Sequence, residues 1–360
     1  MEVRKMIYRI GKILPKSWTD SRRLFALFVK PQQLKMLVLD LDGTTLNDQK
    51  EMIPENITAI KNLRRKNPKI IVCVATGRTF HESVRFAQKI EADFLLTNNG
   101  SAFYQRVGTK YELGKAFTLS EQQYQTIYNQ IRKYESENSD LAWRIGLADT
   151  RYNIITDNQI GVLKKIHKAF SLTEEKVVKP VLIKDFAEIR KQGLSQSLLN
   201  IYLDFGQTAL GKKQYQEFEE FLQREEVDYF QWSDSQYEIV PKGVNKGSTL
   251  AVIIAEQRKK GNYIKEHEVM VLGNAENDLP MFEKGFRSLC PANSWEGIEK
   301  AKNVRRLKVT NNEPFVQAAL DEYYRKPSMV KRLLEEIKER HEAIRRPAVL
   351  KREEMEKEHY

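Results

Sequence analysis

Two aspartates one residue apart mark the part of the sequence best suited to chemistry. In "LVLDLDGTTLN" (37–47), Asp40 and Asp42 follow an apolar run, and Gly43 with two threonines ends that run in a turn. Side chains two positions apart on an extended chain lie on the same side. Two carboxylates so close repel each other unless a divalent cation or a shared proton offsets their charge. The pair therefore predicts a reaction centre.

Three further fragments carry residue types that suit the same chemistry. Thr76 ends an apolar segment in "VATGR", where its hydroxyl can donate to an anionic oxygen. Lys246, in "VNKGSTL", stands just before an apolar helix and supplies a fixed positive charge. The third fragment, "GNAENDLPMF", follows a late apolar run and offers the oxygen ligands that hard cations prefer. Its candidate residues are Asn274, Asn277 and Asp278.

The elements that must position these residues alternate between strands and helices. The apolar run at 36–40 predicts a first strand, and the segments "KIIVCVATGR" (69–78) and "DFLLTNNG" (93–100) predict a second and a third, each ending in a polar turn. "PENITAIKNLRRK" (54–66) and "TFHESVRFAQKI" (79–90) predict the helices between them. This alternation indicates an α/β fold with a doubly wound parallel sheet, in which ligands bind at the carboxyl ends of the strands.

The spacing of the fragments also predicts how the chain is divided. Only 36 residues separate Asp40 from Thr76, whereas 170 separate Thr76 from Lys246, so an inserted α+β domain fits the second interval. The helical stretches within that interval are rich in aromatic residues and differ in this from the flanking segments. The predicted parts are a basic N-terminal extension (1–30), a core (31–102), an inserted domain (103–228), the rest of the core (229–324) and a charged helical tail (325–360).

Composition and charge narrow the class of protein. The net charge of +11 is concentrated at the ends, with +6 in residues 1–30, +3 in 325–360 and only +2 in 31–324, so nucleic acid is not an expected partner. Two cysteines give no disulfide framework and no zinc cluster. No apolar run approaches the roughly 18 residues that span a bilayer. A cytoplasmic protein is the expectation.

Together, the four fragments resemble the haloacid dehalogenase (HAD) superfamily of phosphatases, and within it the Cof-type (HAD-IIB) branch. "DLDGTT" resembles the first family motif, "VATGR" the second, "NKG" the third and "GNAENDLPMF" the fourth, in the same order and strand contexts. The resemblance covers roughly residues 35–320. It implies a Rossmann-like core with an inserted α+β (C2-type) cap domain that closes over the site and selects the leaving group.

The resemblance also implies a mechanism. Asp40 would attack phosphorus and form an aspartyl-phosphate, and Asp42 would protonate the leaving oxygen and later deprotonate the attacking water. Thr76 and Lys246 would neutralise charge on the phosphoryl oxygens. The expected activity is Mg²⁺-dependent hydrolysis of a small phosphorylated metabolite, with a sugar phosphate favoured over a phosphorylated cofactor.

The resemblance assigns two sets of binding residues. Mg²⁺ is the implied cofactor, bridging a carboxylate, the phosphate and a main-chain carbonyl. The implied metal ligands are Asp40, Asp42 (through its main-chain carbonyl), Asn274 and Asp278. The implied substrate-binding residues are Thr76, Gly77, Arg78, Asn99, Lys246 and Asn277.

One position departs from the family pattern. Asn274 stands where the family usually has aspartate, and it keeps a carbonyl oxygen but lacks the negative charge. Mg²⁺ affinity is therefore expected to fall. Two alternatives stay open: a catalytically weakened binding or regulatory protein, and a phosphosugar mutase that passes the phosphoryl group to another sugar hydroxyl.

Three other segments allow more than one interpretation. "GQTALGKK" (206–213) is close to a nucleotide-binding P-loop, but Lys213 stands where the motif needs Ser or Thr, so a solvated turn or a basic lip of the cap is favoured. Trp143 and Arg144, with Tyr152, are candidates for contact with a sugar ring or for packing. Residues 1–30 predict an amphipathic helix that contacts an anionic membrane, a partner protein or its own domain.

Overall fold

The computed structural model describes residues 34–148, 154–156, 181–182, 186–191, 193–194, 196–301 and 303–324. Residues 34–319 form one compact unit. The other unit comprises residues 1–33 and 320–360, and only its residues 320–324 are described. The predictions for the N-terminal extension, the charged tail and Tyr152 lie outside the described residues.

Fourteen strands and eight α-helices fall within the described ranges. The strands are β1 (Met36–Leu39), β2 (Ile71–Ala75), β3 (Phe94–Thr97), β4 (Ala102–Val107), β5 (Lys110–Ala116), β6 (Ala142–Leu147), β7 (Ile154–Thr156), β8 (Val181–Leu182), β9 (Leu198–Asp204), β10 (Val227–Ser233), β11 (Gln236–Pro241), β12 (Val269–Leu272), β13 (Arg287–Cys290) and β14 (Val304–Arg306). The helices are α1 (Pro54–Lys66), α2 (Phe80–Lys89), α3 (Glu121–Glu135), α4 (Phe186–Lys191), α5 (Ala209–Leu222), α6 (Lys246–Lys259), α7 (Leu279–Phe282) and α8 (Phe315–Tyr324). In this described part of the chain, no helix is long and apolar enough to cross a membrane.

An eight-stranded sheet forms the core, in the order β14-β13-β12-β1-β2-β3-β4-β5. The six strands from β14 to β3 are parallel, and β4 and β5 add to one side as an antiparallel hairpin. The central strand β1 is buried along its whole length, which explains its uninterrupted apolar sequence. The residues that follow β1, β2, β3 and β12 therefore meet at one edge, as the predicted doubly wound sheet requires.

A second sheet belongs to the inserted domain and confirms the prediction of an α+β cap. Its six strands follow the order β10-β11-β9-β6-β7-β8. One face of this sheet carries a large apolar cluster into which α3 and α5 pack, as expected for an open-faced α+β layer. The cluster includes Tyr124, Ile127, Ile131, Trp143, Ile145, Ile201, Leu203, Phe205, Phe218 and Tyr237.

The strand pairing differs from the predicted boundaries of the insert at residues 103 and 228. Strands β4 and β5 lie within the predicted insert but pair with the core sheet, and β10 and β11 extend past residue 228 but pair with the cap sheet. The pairing places the two crossings at 117–120 and 242–245. The sequence could not show this, because an antiparallel hairpin carries the same alternating pattern in either sheet.

The start of α6 is held unusually close to α7. A Cβ atom on Gly247 would lie 2.0 Å from the main-chain oxygen of Pro280, so only glycine fits here without a backbone shift. Asn245 caps the helix by accepting from the main-chain N–H of Ser248. This close approach fixes the neighbouring residue, Lys246, against the segment that follows β12.

We expect Gly247→Ala to lower the free energy of unfolding by about 1–3 kcal/mol, because the new methyl group must push backbone apart. Gly261→Ala is the matched control, since its Cβ would meet open space and its cost comes from a φ of +85° alone. Urea denaturation of both variants measures the difference. Equal destabilisation would contradict the role of close packing at Gly247.

Candidate active site

The centre of the site is a buried lysine between two carboxylates. Lys246 is fully buried, and its Nζ donates to Oδ1 of Asp40 and to Oδ1 of Asp278, both at 2.8 Å. Thr44 donates its hydroxyl to the other Asp40 oxygen at 2.8 Å. Asp40 directly follows β1 and is only 4% exposed. The structure therefore brings the predicted nucleophile and the predicted cation into direct contact.

Burial dominates the electrostatics of this cluster. Burial first, and the negative charge of Asp278 second, raise the pKa of Asp40 from 3.8 to about 7, although Lys246 opposes the shift. For Lys246, burial favours the neutral amine, but the charges of Asp278 and Asp40 outweigh it and raise the pKa of the ammonium group. Lys246 thus stays charged and holds two carboxylates, Asp40 at the end of β1 and Asp278 after β12.

Both side-chain oxygens of Asp278 accept hydrogen bonds from groups of the protein itself. Its Oδ1 accepts from Lys246, and its Oδ2 accepts from the main-chain N–H groups of Asn274 at 2.8 Å and Ala275 at 3.1 Å. These contacts shape the turn after β12 and orient Lys246. Asp278 was predicted as a metal ligand, and in the structure both of its side-chain oxygens accept hydrogen bonds, one from Lys246 and the other from this turn.

A tight turn after β1 brings several oxygen atoms together. The main-chain N–H groups of Thr44, Thr45 and Leu46 all donate to the carbonyl of Leu41, and Gly43 adopts a positive φ of 69°. This conformation directs the main-chain carbonyl of Asp42 towards the strand end at β12. The positive φ explains the glycine of the first motif.

One end of the Asn274 amide faces this turn. That atom lies 2.7 Å from the main-chain oxygen of Asp42, 3.2 Å from Oδ2 of Asp40 and 3.0 Å from the hydroxyl of Thr44. If the atom is the amide nitrogen, it donates to these oxygens. If it is the amide oxygen, it forms a three-oxygen set with Asp42 and Asp40 that suits a hard cation such as Mg²⁺.

The residues present therefore fit a magnesium site of modest charge. In the described part of the chain, no three His, Cys, Asp or Glu side chains form a metal-binding group, so the set depends on a main-chain carbonyl and an amide. Asp40 contributes the only charged oxygen among the three. By rotation of its amide, Asn274 would present its oxygen to a bound cation, or its nitrogen to the surrounding oxygens when no cation is bound.

The Asp42 side chain forms a two-pronged ion pair with Arg78. Arg78 donates from Nε and Nη2 to the two Asp42 oxygens, each at 2.7 Å, and Nζ of Lys50 lies 3.1 Å away. Although burial opposes the shift, the hydrogen bonds and charge of Arg78 hold the pKa of Asp42 below its ordinary value. The structure thus joins the predicted acid–base residue to a predicted substrate-binding residue.

The remaining predicted residues lie at the ends of the neighbouring strands. Thr76 directly follows β2, is fully buried, and accepts from the main-chain N–H of Arg78 at 3.1 Å. Asn99 follows β3 with a left-handed backbone (φ 51°, ψ 30°), a conformation that asparagine tolerates better than most residues. Nδ2 of Asn277 donates to Oδ1 of Asn99 at 2.9 Å. Gly77 lies beneath the indole ring of Trp232.

The cap brings further residues to this edge, of which the sequence predicted Arg144 but not Glu238. Glu238 of β11 accepts from Nδ2 of Asn99 at 2.7 Å, and Arg144 of β6 donates to Glu82 of α2 at 3.1 Å. Neither glutamate belongs to a recognised motif. The alternation of aromatic and polar residues in "YFQWSDSQYEIV" was the available signal for Glu238.

Two other candidate segments, 143–144 and 206–213, make contacts within the protein. Trp143 packs into the apolar cluster of the cap, while the next residue, Arg144, lies on the opposite face of the sheet, as alternation along a strand requires. The segment 206–213 begins α5, and its exposed lysine side chains pair with acidic neighbours, Lys212 with Asp234 and Lys213 with Glu217. This agrees with a solvated turn.

Comparisons with known proteins agree with the fold and show the family. The sequence profile of the haloacid dehalogenase-like hydrolases matches residues 37–314. A protein of Mycoplasma genitalium that is named as a phosphatase is 24% identical over 268 residues, which cover 72% of this chain and 87% of the relative. A 5-amino-6-(5-phospho-D-ribitylamino)uracil phosphatase of Bacillus subtilis is 21% identical over 288 residues, which cover 80% and 94%.

A solved structure has the same fold. The crystal structure of a haloacid dehalogenase-like hydrolase from Bacteroides thetaiotaomicron superposes with a TM-score of 0.62 at 21% identity, over 81% of this chain and 99% of that one. This chain belongs to the haloacid dehalogenase-like hydrolases. It is a phosphatase-type enzyme with a Rossmann-like core and an inserted cap, which confirms the family, the fold and the enzyme class predicted from the sequence.

We expect Asp40→Asn to be more stable than the wild type at pH 8 in metal-free buffer. Because the folded pKa of Asp40 lies above its unfolded value, the wild type loses stability as pH rises from about 4 to about 7, and asparagine avoids that loss. The difference in the free energy of unfolding should reach about 2–4 kcal/mol at pH 8 and shrink towards pH 4.

Urea denaturation across this pH range measures the effect. Asp140→Asn makes the same chemical change at an exposed position and reports what the loss of one surface charge does by itself. An Asp40→Asn variant that is less stable than the wild type at pH 8 would contradict the assigned electrostatic cost.

Proposed function

We propose that the protein hydrolyses phosphate monoesters in a Mg²⁺-dependent reaction through an aspartyl-phosphate on Asp40. The observation that carries this proposal is the contact of the buried Asp40 carboxylate with Lys246 and Thr44 at the end of the central strand. A buried carboxylate with a fixed position and a charged neighbour is suited to attack an electrophilic phosphorus. The family membership supports the same chemistry.

The three oxygens around Asn274 are the proposed magnesium ligands. Asp40 Oδ2, the main-chain oxygen of Asp42 and the side-chain oxygen of Asn274 would hold the ion. When bound, Mg²⁺ supplies positive charge that offsets the repulsion between the Asp40 carboxylate and the phosphoryl group. Asp278 is not part of the proposed set, and it acts on the site through Lys246.

The steps then follow from the residues of this chain. An Asp40 oxygen bonds to phosphorus as the ester P–O bond breaks, and Asp42 gives its proton to the leaving oxygen. Asp42 then takes a proton from water, the water oxygen bonds to phosphorus, and the bond from phosphorus to Asp40 breaks. Lys246 and Thr76 balance charge on the phosphoryl oxygens throughout.

Arg78 controls the protonation state of Asp42. In the observed arrangement Arg78 keeps Asp42 ionised, which suits the base step but not the acid step. We infer that a bound phosphate draws Arg78 away from Asp42. The pKa of Asp42 then rises, and the carboxyl group can carry the proton that the leaving oxygen needs.

The proposed substrate is a small phosphorylated metabolite with a sugar or polyol leaving group. The Bacillus subtilis relative is named for a substrate with a phosphorylated ribityl chain, which supports this class. A phosphosugar mutase would share the first half-reaction, and trapping the acceptor of the phosphoryl group separates water from a sugar hydroxyl. We also propose a cytoplasmic location, because Cys73 and Cys290 are both free thiols.

Hydrolysis of phenyl phosphate during a Mg²⁺ titration tests the proposal. We expect turnover by the wild type and none by Asp40→Asn, because the nucleophile is lost. Asp140→Asn, at an exposed position, should behave as the wild type does. A wild type that is inactive at every Mg²⁺ concentration would contradict the proposal and favour a weakened binding or regulatory protein.

We expect Asn274→Asp to lower the half-saturating Mg²⁺ concentration about tenfold, because a second charged ligand joins the set. The same variant should lose about 1–3 kcal/mol of stability in EDTA, since a carboxylate cannot donate to the oxygens around it. Kinetics and thermal unfolding with and without Mg²⁺ measure both effects. An unchanged Mg²⁺ requirement would remove Asn274 from the ligand set.

A further inference from the structure

The cap sheet has a polar face opposite its apolar one. Side chains alternate between the two faces along each strand, and residues paired across neighbouring strands share a face. One such row crosses four strands, and its register pairs Phe230 with Glu238, Glu238 with Tyr202, and Tyr202 with Arg144. Arg144 contacts Glu82 of the core, which shows that this face is turned towards the core sheet.

Glu238 is the unusual member of this row. Its side chain is 2% exposed, and its carboxylate accepts from Nδ2 of Asn200 at 2.6 Å, from Nδ2 of Asn99 at 2.7 Å and from Nε1 of Trp232 at 3.0 Å. These three donors are neutral amide and indole groups. Burial raises the pKa of Glu238, which shows that its charge is held at a cost. A purely structural contact at this position would be met better by an apolar or amide side chain.

The contact with Asn99 places Glu238 beside the reaction centre. Asn99 also accepts from Asn277, which precedes Asp278, the residue that holds Lys246. A chain of side-chain contacts therefore runs from the cap carboxylate to the segment that orients the catalytic lysine. The proposed phosphate site and Glu238 lie at the same edge of the core sheet, with Asn99 between them.

Trp232 covers the other flank of the same region. Its ring lies against Gly77, where a Cβ atom would come within 2.9 Å of the indole. Gly77 separates Thr76 from Arg78, so the ring lies beside the proposed phosphate-binding segment. The side chain is 45% exposed, which leaves part of a large aromatic surface open to a ligand.

We propose that Glu238 and Trp232 form the binding site for a polyhydroxylated leaving group, a sugar or a polyol. This proposal rests on the phosphatase function proposed above. Hydroxyl groups donate well to a buried carboxylate, and the C–H surface of a carbohydrate packs on an indole ring. Hydroxyls can replace the neutral donors on Glu238 bond for bond, and no charged partner is left without its contact.

An apolar leaving group offers no such replacement. If it displaced Asn200 or Trp232, the buried carboxylate of Glu238 would lose a hydrogen bond and gain none. The site should therefore discriminate by hydroxyl content and not by size alone. Sites built to hydrogen-bond a substrate reject analogues that lack the group more strongly than apolar pockets reject small changes in size.

The test compares phosphate esters that differ in hydroxyl content. For the wild type, kcat/KM is measured for sorbitol 6-phosphate, ribitol 5-phosphate, glucose 6-phosphate and n-hexyl phosphate in saturating Mg²⁺. The readout is the ratio of kcat/KM for the best hydroxylated ester to that for n-hexyl phosphate. We expect this ratio to fall about tenfold or more in Glu238→Gln, because an NH₂ group replaces one of the two carboxylate oxygens that accept hydrogen bonds.

The controls separate a binding role from a structural one. Glu217→Gln makes the same chemical change on the exposed surface of α5 and should keep the wild-type ratio. Trp232→Phe keeps an aromatic ring but removes a donor to Glu238, so it tests the site again if Glu238→Gln does not fold. We expect its ratio to change, with the change concentrated in KM for the hydroxylated ester.

Two outcomes overturn the proposal. The first is a wild type that hydrolyses n-hexyl phosphate as well as every hydroxylated ester. The second is a folded Glu238→Gln, or a folded Trp232→Phe in its place, whose ratio stays within twofold of the wild type, which would make the row a structural contact between cap and core. A wild type that hydrolyses none of these esters, nor phenyl phosphate, would instead overturn the proposed phosphatase function.

Discussion

The ion-pair cluster of Asp40, Lys246 and Asp278 is the interaction on which the rest of the structure depends. Three buried charges are tolerable only when their geometry is fixed, because each lost contact leaves a charge without compensation in a poorly polarisable interior. Their positions come from three separate elements: the end of β1, the start of α6 and the turn after β12. The parallel sheet and the close contact of Gly247 with Pro280 serve to bring these elements together.

The asparagine at position 274 adds no charge to this cluster. Two carboxylates and one lysine already leave the cluster with a net negative charge, and a third carboxylate beside Asp40 would add to the repulsion. An amide can donate to the surrounding oxygens, or it can turn its own oxygen towards a cation. The chain thus exchanges part of its proposed metal affinity for a site that is satisfied by its own hydrogen bonds.

The contact between cap and core does not depend on a fixed cluster of charges. Most of the contacts described between the two sheets at the active-site edge are hydrogen bonds and one buried ion pair, and the ring of Trp232 against Gly77 adds an apolar contact. The polar contacts are directional, and water or substrate hydroxyls can replace them with little net change in free energy. A cap held in this way can be specific for its ligand without being locked to the core.

The sequence by itself determined the parallel core and the four motifs, because strand periodicity and turn chemistry are local and four spaced motifs are specific together. It thereby also located Asp40 after β1, Thr76 after β2 and Lys246 at the start of α6. Only the tertiary structure decided that Asp278 holds Lys246, that Arg78 holds Asp42, and which sheet receives the hairpins β4–β5 and β10–β11. It also revealed Glu238 at the edge of the site, more than 130 residues from Asn99 in sequence. Such partners are set by the packing of distant elements, and no local pattern in a single chain records which side chains will meet.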